Sequence, residues 1–172
     1  ARKFPRYARV NTCRSKTEDI VKELQKENLP CYADCHVPDL LVIPPNTTET
    51  LRGIHVDFVD RLVALQDKAS CFPALCLVHG YGGDITTSGW DWLDACAAPG
   101  NKTSHLAALV MQSGGSGKLF AFDRDAKRRL LLQRRVEQFV PVTSQTFSVE
   151  TRQQDFLEVI PTNYPNVKAI LL

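Results

Sequence analysis

The chain has 172 residues, of which 44% are hydrophobic and 23% are charged, and its formal net charge is +2. This length fits one domain, or one small domain with part of another, and the apolar content excludes a wholly disordered chain. Because no apolar run approaches the ~20 residues that a membrane span needs, we expect no membrane partner.

Positive charge is concentrated in residues 1–16, which contain no acidic side chain. Phe4 and Tyr7 lie among these cations. Cations bind phosphates and aromatic rings stack on bases, so the segment is typical of a surface that faces nucleic acid. A solvated N-terminal arm would have the same composition, and both interpretations stay open. The cations are Arg2, Lys3, Arg6, Arg9, Arg14 and Lys16.

The next elements are predicted from a capping pattern and from prolines. Residues 15–18 read Ser-Lys-Thr-Glu, which fits a capping box at the start of a helix that Pro30 ends. Leu40–Ile43 is an apolar run followed by two prolines and predicts a short strand. Residues 46–64 fit either a strand or an irregular helix.

Strands and helices alternate in the remainder of the chain. A short helix over 69–77 and a glycine-rich loop over 79–89 come first. The elements that follow are strand 90–96, helix 101–112, strand 118–123, helix 125–138, strand 147–151 and strand 167–172. Alternation of this kind predicts a parallel sheet covered by helices on both faces. The last strand is apolar, so we expect it to be buried and the chain to be a fragment cut inside it.

The six cysteines are expected to be reduced, because the chain is long for a disulfide scaffold and no secretory signal is visible. Cys31, Cys35 and His36 are residue types that bind zinc. Their spacing lacks a second ligand pair, so we expect no metal site.

The chemistry-bearing segment is the junction between strand 90–96 and helix 101–112. Small residues end the strand, and Pro99-Gly100 forms the turn, so a ligand could approach the backbone closely. Backbone N–H groups at the helix start suit an anion such as a carboxylate. Asp123 follows the next strand and could accept both ribose hydroxyl groups of a nucleoside. Together these features predict a Rossmann-like nucleoside site.

The type of nucleoside follows from the motifs that are missing. The glycine fingerprint of dinucleotide enzymes is absent, and neither glycine-rich stretch has the spacing of a phosphate-binding P-loop. S-adenosyl-L-methionine has a ribose for Asp123 and a carboxylate for the loop, and it is the ligand that remains. A junction selected only for packing is the alternative.

The same residues resemble the Sun-domain (Nol/Nop/Sun) RNA cytosine-5 methyltransferases. The run Asp-Ala-Cys-Ala-Ala-Pro-Gly-Asn-Lys-Thr at 94–103 resembles motif I of that family. The asparagine at position 101 is most like the subgroup linked to the Williams–Beuren region, which methylates large-subunit ribosomal RNA. Further resemblances are the domain start at 5–12, motif X at 65–73, motif II at 120–128 and motif III at 155–157.

The resemblance implies a Rossmann-like class I methyltransferase sheet, limited to its first strands and preceded by a small α+β region. Residues 1–64 would be that RNA-facing α+β region, and 65–172 the first part of the cofactor-binding domain. The implied activity is transfer of a methyl group from S-adenosyl-L-methionine to carbon 5 of cytosine in RNA. The implied partner is ribosomal RNA, and the implied location is the nucleus and nucleolus.

The resemblance also assigns residue roles. The loop would line the methionine end of the cofactor, Asp123 would hold the ribose with Arg128 nearby, and Asp155 would approach the adenine amine. Arg9 and Asn11 would help to place RNA. The residues assigned to cofactor binding are Cys96, Ala97, Ala98, Pro99, Gly100, Asn101, Lys102, Asp123, Arg128 and Asp155.

Catalysis in this family needs a cysteine that adds to carbon 6 of cytosine. In the family, an Asp-Pro-x-Cys motif and a later Thr-Cys motif follow a strand like 167–172. The 172 residues contain neither motif after that strand. We therefore expect no catalytic residue here and no activity of this chain alone. Cys96 is interpreted as a small packing residue. The alternatives are a catalytically silent, truncated product that binds RNA or protein and, more weakly, a P-loop-like nucleotide hydrolase.

Overall fold

A computed structural model describes residues 4–45, 61–80, 89–141 and 146–172. The chain forms two compact units, Ala1–Phe72 and Pro73–Leu172. A four-stranded sheet is described in each of them. Among the described helices, none is both long enough and apolar enough to cross a membrane. The functional division of the chain after residue 64 stays a prediction.

The first unit contains an antiparallel sheet and a helix of ten residues. The elements are β1 (Arg6–Val10), α1 (Thr17–Lys26), β2 (Tyr32–Ala33), β3 (Leu40–Ile43) and β4 (Val63–Leu65). The strand order is β2-β3-β1-β4. Ile20 and Leu24 of α1 are each 1% exposed and join the apolar cluster that covers one face of the sheet.

The start of α1 differs from the predicted capping box. Lys16 is the N-cap residue, and no side chain caps the helix. The backbone N–H of Ser15 donates to the carbonyl of Asn11 at 3.1 Å. The hydroxyl of Thr17 donates to Asp39 Oδ1 at 2.6 Å. The capping-box prediction is wrong, because Lys16 and not Ser15 is the N-cap residue, and the Ser15 N–H that the box would pair with Glu18 donates to the carbonyl of Asn11.

The predicted strand Leu40–Ile43 is confirmed, and all four of its residues are buried. Most of the ambiguous segment 46–64, its residues 46–60, lies outside the described residues. Its end contributes to β4.

The predicted helix over 69–77 is displaced toward the carboxyl end. A 3₁₀ turn occupies Lys68–Ser70, and helix α2 is Phe72–Gly80, with Pro73 in its first turn. A proline has no N–H to donate, so it fits this position and favours a helix that begins beside it. The first two residues of the predicted loop 79–89 are therefore helical. Residues 81–88 lie outside the described residues.

The second unit carries a parallel sheet, as the alternation predicted. The elements after α2 are β5 (Asp91–Asp94), α3 (Asn101–Gln112), β6 (Gly117–Asp123), α4 (Ala126–Phe139), β7 (Phe147–Gln153) and β8 (Val167–Leu171). The strand order is β7-β6-β5-β8, and helix α3 has the predicted bounds.

The strand order positions the candidate site. From β5 the chain passes to β6 and β7 on one side, and then returns to place β8 on the other side of β5. In open α/β sheets, ligands bind outside the carboxyl ends of strands at such a reversal. Asp94 and Asp123 are the last residues of β5 and β6. The two acids therefore end adjacent parallel strands at the same edge of the sheet.

Strand β8 departs from the prediction of a fully buried strand. Ala169 and Leu171 are 3% and 2% exposed, but Ile170 between them is 44% exposed. Side chains alternate between the two faces of a strand, and one face of β8 packs on the cluster that contains Trp92. The apolar run therefore predicts the strand correctly, but it does not show that both faces of the strand are buried.

Candidate functional site

The loop of residues 95–100 joins β5 to α3 and lies against the end of β6. Ala97 and Ala98 are buried at 4% and 8% exposure. The N–H of Ala97 donates to the carbonyl of Phe122 at 2.8 Å. Small side chains let the loop approach the neighbouring strand this closely.

Gly100 is required by the turn into α3. Its φ is +106°, a conformation that residues with a Cβ rarely adopt. An added Cβ would lie 3.0 Å from Arg135 Cβ and 3.2 Å from Leu132 Cδ1. Gly100 is also the N-cap residue, and no side chain caps α3. The N–H groups of the first helical turn are therefore suited to an anion.

Asp94 is a buried structural acid at the end of β5, and 2% of its surface is exposed. Its Oδ2 accepts the Thr103 hydroxyl at 2.7 Å, and its Oδ1 accepts the Cys96 N–H at 3.3 Å. Desolvation raises the pKa of Asp94 to about 6, although both hydrogen bonds and Lys102 act in the opposite direction. This carboxyl group connects the end of the strand to the loop and to the first turn of α3.

Asp123, at the end of β6, has a different environment. It is 3% exposed, and its Oδ1 accepts the N–H of Asp125 at 3.0 Å. Its Oδ2 is buried and accepts no hydrogen bond within the described part of the chain. The guanidinium of Arg128 lies 3.4 Å from this oxygen. Oδ2 therefore has a neighbouring positive charge and unused capacity as a hydrogen-bond acceptor.

Arg128 connects the loop to this acid. Its Nη2 atom donates to the carbonyl of Ala98 at 3.0 Å, and the same nitrogen is the one near Asp123 Oδ2. Helix α4 can present Arg128 here because Asp125 caps its start by accepting the Arg128 N–H at 2.8 Å. The first turn of α4 thus links the loops after two adjacent strands.

Asp155 follows β7 at the same edge of the sheet. It is half-buried, and its Oδ1 accepts the N–H of Leu157 at 3.0 Å. The preceding residue, Gln154, donates its backbone N–H to the carbonyl of Asp123 at 3.1 Å. This bond holds the segment before Asp155 against the end of β6.

The predicted site residues are distributed around these contacts. Asn101 and Lys102 are half-buried in the first turn of α3, and Pro99 is exposed. Cys96 is also exposed, so its interpretation as a packing residue is wrong. Cys96 lies in the loop after the buried end of β5, and its side chain is at the surface. Cofactor binding by the ten residues stays a prediction.

Arg9 and Asn11 do not present a surface to RNA. Each is 1% exposed. Arg9 Nε donates to Gln66 Oε1 at 2.9 Å, and Asn11 Nδ2 donates to the carbonyl of Arg61 at 2.8 Å. Ala8, Arg9 and Val10 of β1 and the following Asn11 are all buried, so both faces of the chain are covered here, which composition alone does not reveal.

Sequence reasoning assigned no role to Thr103, although it lies in the motif that carries the resemblance. Its hydroxyl fixes Asp94. The sequence did contain a signal for this contact. Thr103 places a hydroxyl in the first turn of a helix, nine positions after the acid that ends the strand.

Burial disfavours three cysteines as nucleophiles. It raises the pKa of the Cys71 thiol to about 11, and it raises the pKa of Cys13 and Cys31 as well. The thiolate is the reactive form, so a raised pKa lowers the reactivity of these side chains.

Comparison with known proteins agrees with this architecture. Residues 86–160 match the family 16S rRNA methyltransferase RsmB/F. The chain is 34% identical over 194 residues to the 28S rRNA (cytosine-C(5))-methyltransferase of Mus musculus, an alignment that covers 100% of the chain and 37% of the relative. It is 35% identical over 182 residues to the 25S rRNA (cytosine-C(5))-methyltransferase rcm1 of Schizosaccharomyces pombe, covering 98% of the chain and 35% of the relative.

The chain thus spans little more than a third of the length of these two relatives. A methyltransferase homolog protein from Pyrococcus horikoshii has a similar structure, with a TM-score of 0.69 and 24% identity over 94% of the chain and 48% of that protein. This likeness confirms the predicted methyltransferase fold. Residues 86–160 therefore match the RsmB/F methyltransferase family, and over the length that it spans the chain is similar to these rRNA (cytosine-C(5))-methyltransferases.

Proposed function

We propose that Asp123 and the loop of residues 95–100 bind S-adenosyl-L-methionine. The observation that supports this most is Asp123 Oδ2, which is buried and accepts no hydrogen bond from the described residues. A buried acceptor without a donor costs about 1–3 kcal/mol. The two ribose hydroxyl groups of the cofactor are donors that would satisfy it.

The start of α3 is the proposed position of the cofactor's carboxylate. Gly100 leaves the first turn without a side-chain cap, and Lys102 adds a positive charge there. Both features favour an anion. The exposed Cys96 and Pro99 and the buried Ala97 and Ala98 would line the same end of the cofactor.

Arg128 and Asp155 complete the proposed site at its other end. Arg128 would keep the loop and Asp123 at a fixed separation through its hydrogen bond to Ala98 and its ion pair with Asp123. Asp155 would accept a hydrogen bond from the adenine amine, since it follows the next strand at the same edge.

We propose that the whole protein methylates carbon 5 of cytosine in RNA, specifically large-subunit ribosomal RNA, in the nucleus and nucleolus. The names of the two relatives support this substrate. The bound cofactor would supply an electrophilic methyl group. Methylation at carbon 5 also requires a thiolate that adds to carbon 6 and a base that removes the proton. We propose that the 172 residues bind the cofactor and do not supply that thiolate.

The second candidate is a catalytically silent product that binds RNA or protein. The exposed cations Arg6, Arg14 and Lys16 favour it, because phosphate contacts need no cofactor. Such a product would bind ribosomal RNA whether or not the cofactor is present.

Radiolabelled S-adenosyl-L-methionine distinguishes these candidates. The purified chain is tested for binding of the label by equilibrium dialysis, and for transfer of the label to ribosomal RNA beside the full-length mouse relative. We expect binding of the cofactor by the chain and transfer by the relative alone. Absence of cofactor binding by a folded chain would overturn the proposal that these residues bind S-adenosyl-L-methionine. Methyl transfer by the chain at the rate of the mouse relative would overturn the proposal that the 172 residues do not supply the catalytic thiolate.

A further inference from the structure

A cluster of metal-ligating side chains lies in the first unit, in the loop between β2 and β3. Asp34, Cys35 and His36 each offer one ligand atom, and these atoms lie within 4.8 Å of one another. Cys35 Sγ is 3.0 Å from His36 Nδ1, and His36 Nδ1 is 4.0 Å from Asp34 Oδ1. A tetrahedral zinc ion with bonds of about 2.0–2.3 Å separates its ligand atoms by about 3.3–3.8 Å. The two observed separations lie on either side of this range.

A positive charge already lies where these ligands converge. Lys68 Nζ donates to Asp34 Oδ2 at 2.7 Å and lies 2.9 Å from His36 Nδ1. The lysine thus takes two of the three contacts that a metal cation would take. The carboxyl group is fixed from the other side, because Asp34 Oδ1 accepts the N–H groups of His36 and Val37, each at 2.9 Å. The loop is therefore preorganised around a cation, and the chain itself supplies that cation.

We propose that Asp34, Cys35 and His36 form a three-ligand zinc site in which Lys68 competes with the metal. The thiol and imidazole are preferred zinc ligands, and the carboxylate is the third. Binding would release the thiol proton of Cys35 to solvent and free the Lys68 ammonium, whose side chain is 23% exposed. The fourth ligand would be water, because Cys35 and His36 are exposed. The sequence spacing of Cys31, Cys35 and His36 predicted no metal site, and in this donor set Asp34 takes the place of Cys31.

The competition gives an unusual test. Removing Lys68 should strengthen metal binding if the lysine competes with the metal. If Lys68 has only a structural role, its removal should not strengthen metal binding. Asp34 is left unchanged in the test because its backbone hydrogen bonds shape the loop. Cys76 is also exposed and lies outside the cluster, so Cys76→Ser is the matched control.

The experiment titrates Co²⁺, a spectroscopic substitute for zinc, into the chain and follows the thiolate-to-cobalt charge-transfer band, with Zn²⁺ competition to obtain the zinc affinity. We expect one equivalent of cobalt to bind the unchanged chain and Cys76→Ser alike. Cys35→Ser should abolish the band, His36→Gln should weaken binding at least about tenfold, and Lys68→Met should strengthen it severalfold. A band that persists in Cys35→Ser, or an affinity that does not rise in Lys68→Met, would overturn the proposal. Circular dichroism confirms that each variant is folded.

Discussion

The ends of β5 and β6 both carry a buried aspartate, but the two carboxyl groups are used differently. Asp94 has a hydrogen-bond partner for each oxygen, and both partners belong to the loop and helix that follow it. One oxygen of Asp123 accepts a backbone N–H, whereas the other has the Arg128 guanidinium 3.4 Å away and accepts no hydrogen bond from the described residues. Burial alone therefore does not identify a binding residue. The difference is whether the fold itself satisfies the group.

The largest expected effect on stability concerns Gly100, in the turn between β5 and α3. Gly100→Ala should lower the free energy of unfolding by about 2–5 kcal/mol, because strain at positive φ adds to a close contact with Arg135. Gly114→Ala is the control, since Gly114 has a φ of +71° and nothing within 4 Å of an added Cβ. It should cost about 1–2 kcal/mol. Urea unfolding measures both. Equal costs would mean that packing at Gly100 contributes nothing.

The pH dependence of stability tests whether Asp94 is purely structural. Its pKa is about 6 in the folded chain against an ordinary value of 3.8, so the folded state holds its proton more tightly. Stability from this group is therefore highest below pH 3.8 and falls as the pH rises toward 6, by roughly 3 kcal/mol in total. Asp94→Asn should remove this fall. Urea unfolding of both chains from pH 4 to pH 7 measures it.

The exposed Glu158→Gln serves as the control and should keep the pH slope of the unchanged chain. A slope in Asp94→Asn that matches the unchanged chain would show that another group titrates in this range.

A smaller effect is expected at Thr103, the partner of Asp94. Thr103→Val keeps the shape and removes the hydroxyl, so it should cost about 2 kcal/mol of unfolding free energy, as expected for a lost hydrogen bond to a buried acid. Thr103→Ser keeps the hydroxyl and loses one methyl group, at about 0.8 kcal/mol. Thermal or urea unfolding ranks the two variants. The reverse order would mean that packing of the methyl group outweighs the hydrogen bond.

Sequence reasoning predicted the second unit more closely than the first. The helix bounds of Asn101–Gln112 and the parallel sheet followed from periodicity and from the Pro99-Gly100 turn, which are local signals. In the first unit the capping box at Ser15 is wrong, since Lys16 is the N-cap residue. The hydrogen bond from the Thr17 hydroxyl in the first turn of α1 to Asp39 joins residues 22 positions apart, which no local pattern reveals.

The same limit applies to the sites. The position of Asp123 at a strand end was predictable, but the unused acceptor on its Oδ2 depends on which groups the fold brings near it. The contact between Lys68 and Asp34 joins residues 34 positions apart and leaves no periodic trace in the sequence.

The central claim is that Asp123 binds the cofactor while Asp94 supports the fold. Calorimetric titration of S-adenosyl-L-methionine into the unchanged chain, Asp123→Asn and Asp94→Asn at pH 7 tests it most directly. Asp123→Asn keeps an oxygen that accepts the Asp125 N–H. It loses the negative charge and the second oxygen, which is the proposed acceptor for the ribose hydroxyl groups. Its cofactor affinity should fall at least about thirtyfold, or 2 kcal/mol, with its stability changed by less than about 1 kcal/mol. Asp94→Asn should bind the cofactor within a few-fold of the unchanged chain. Unchanged affinity in a folded Asp123→Asn would contradict the claim.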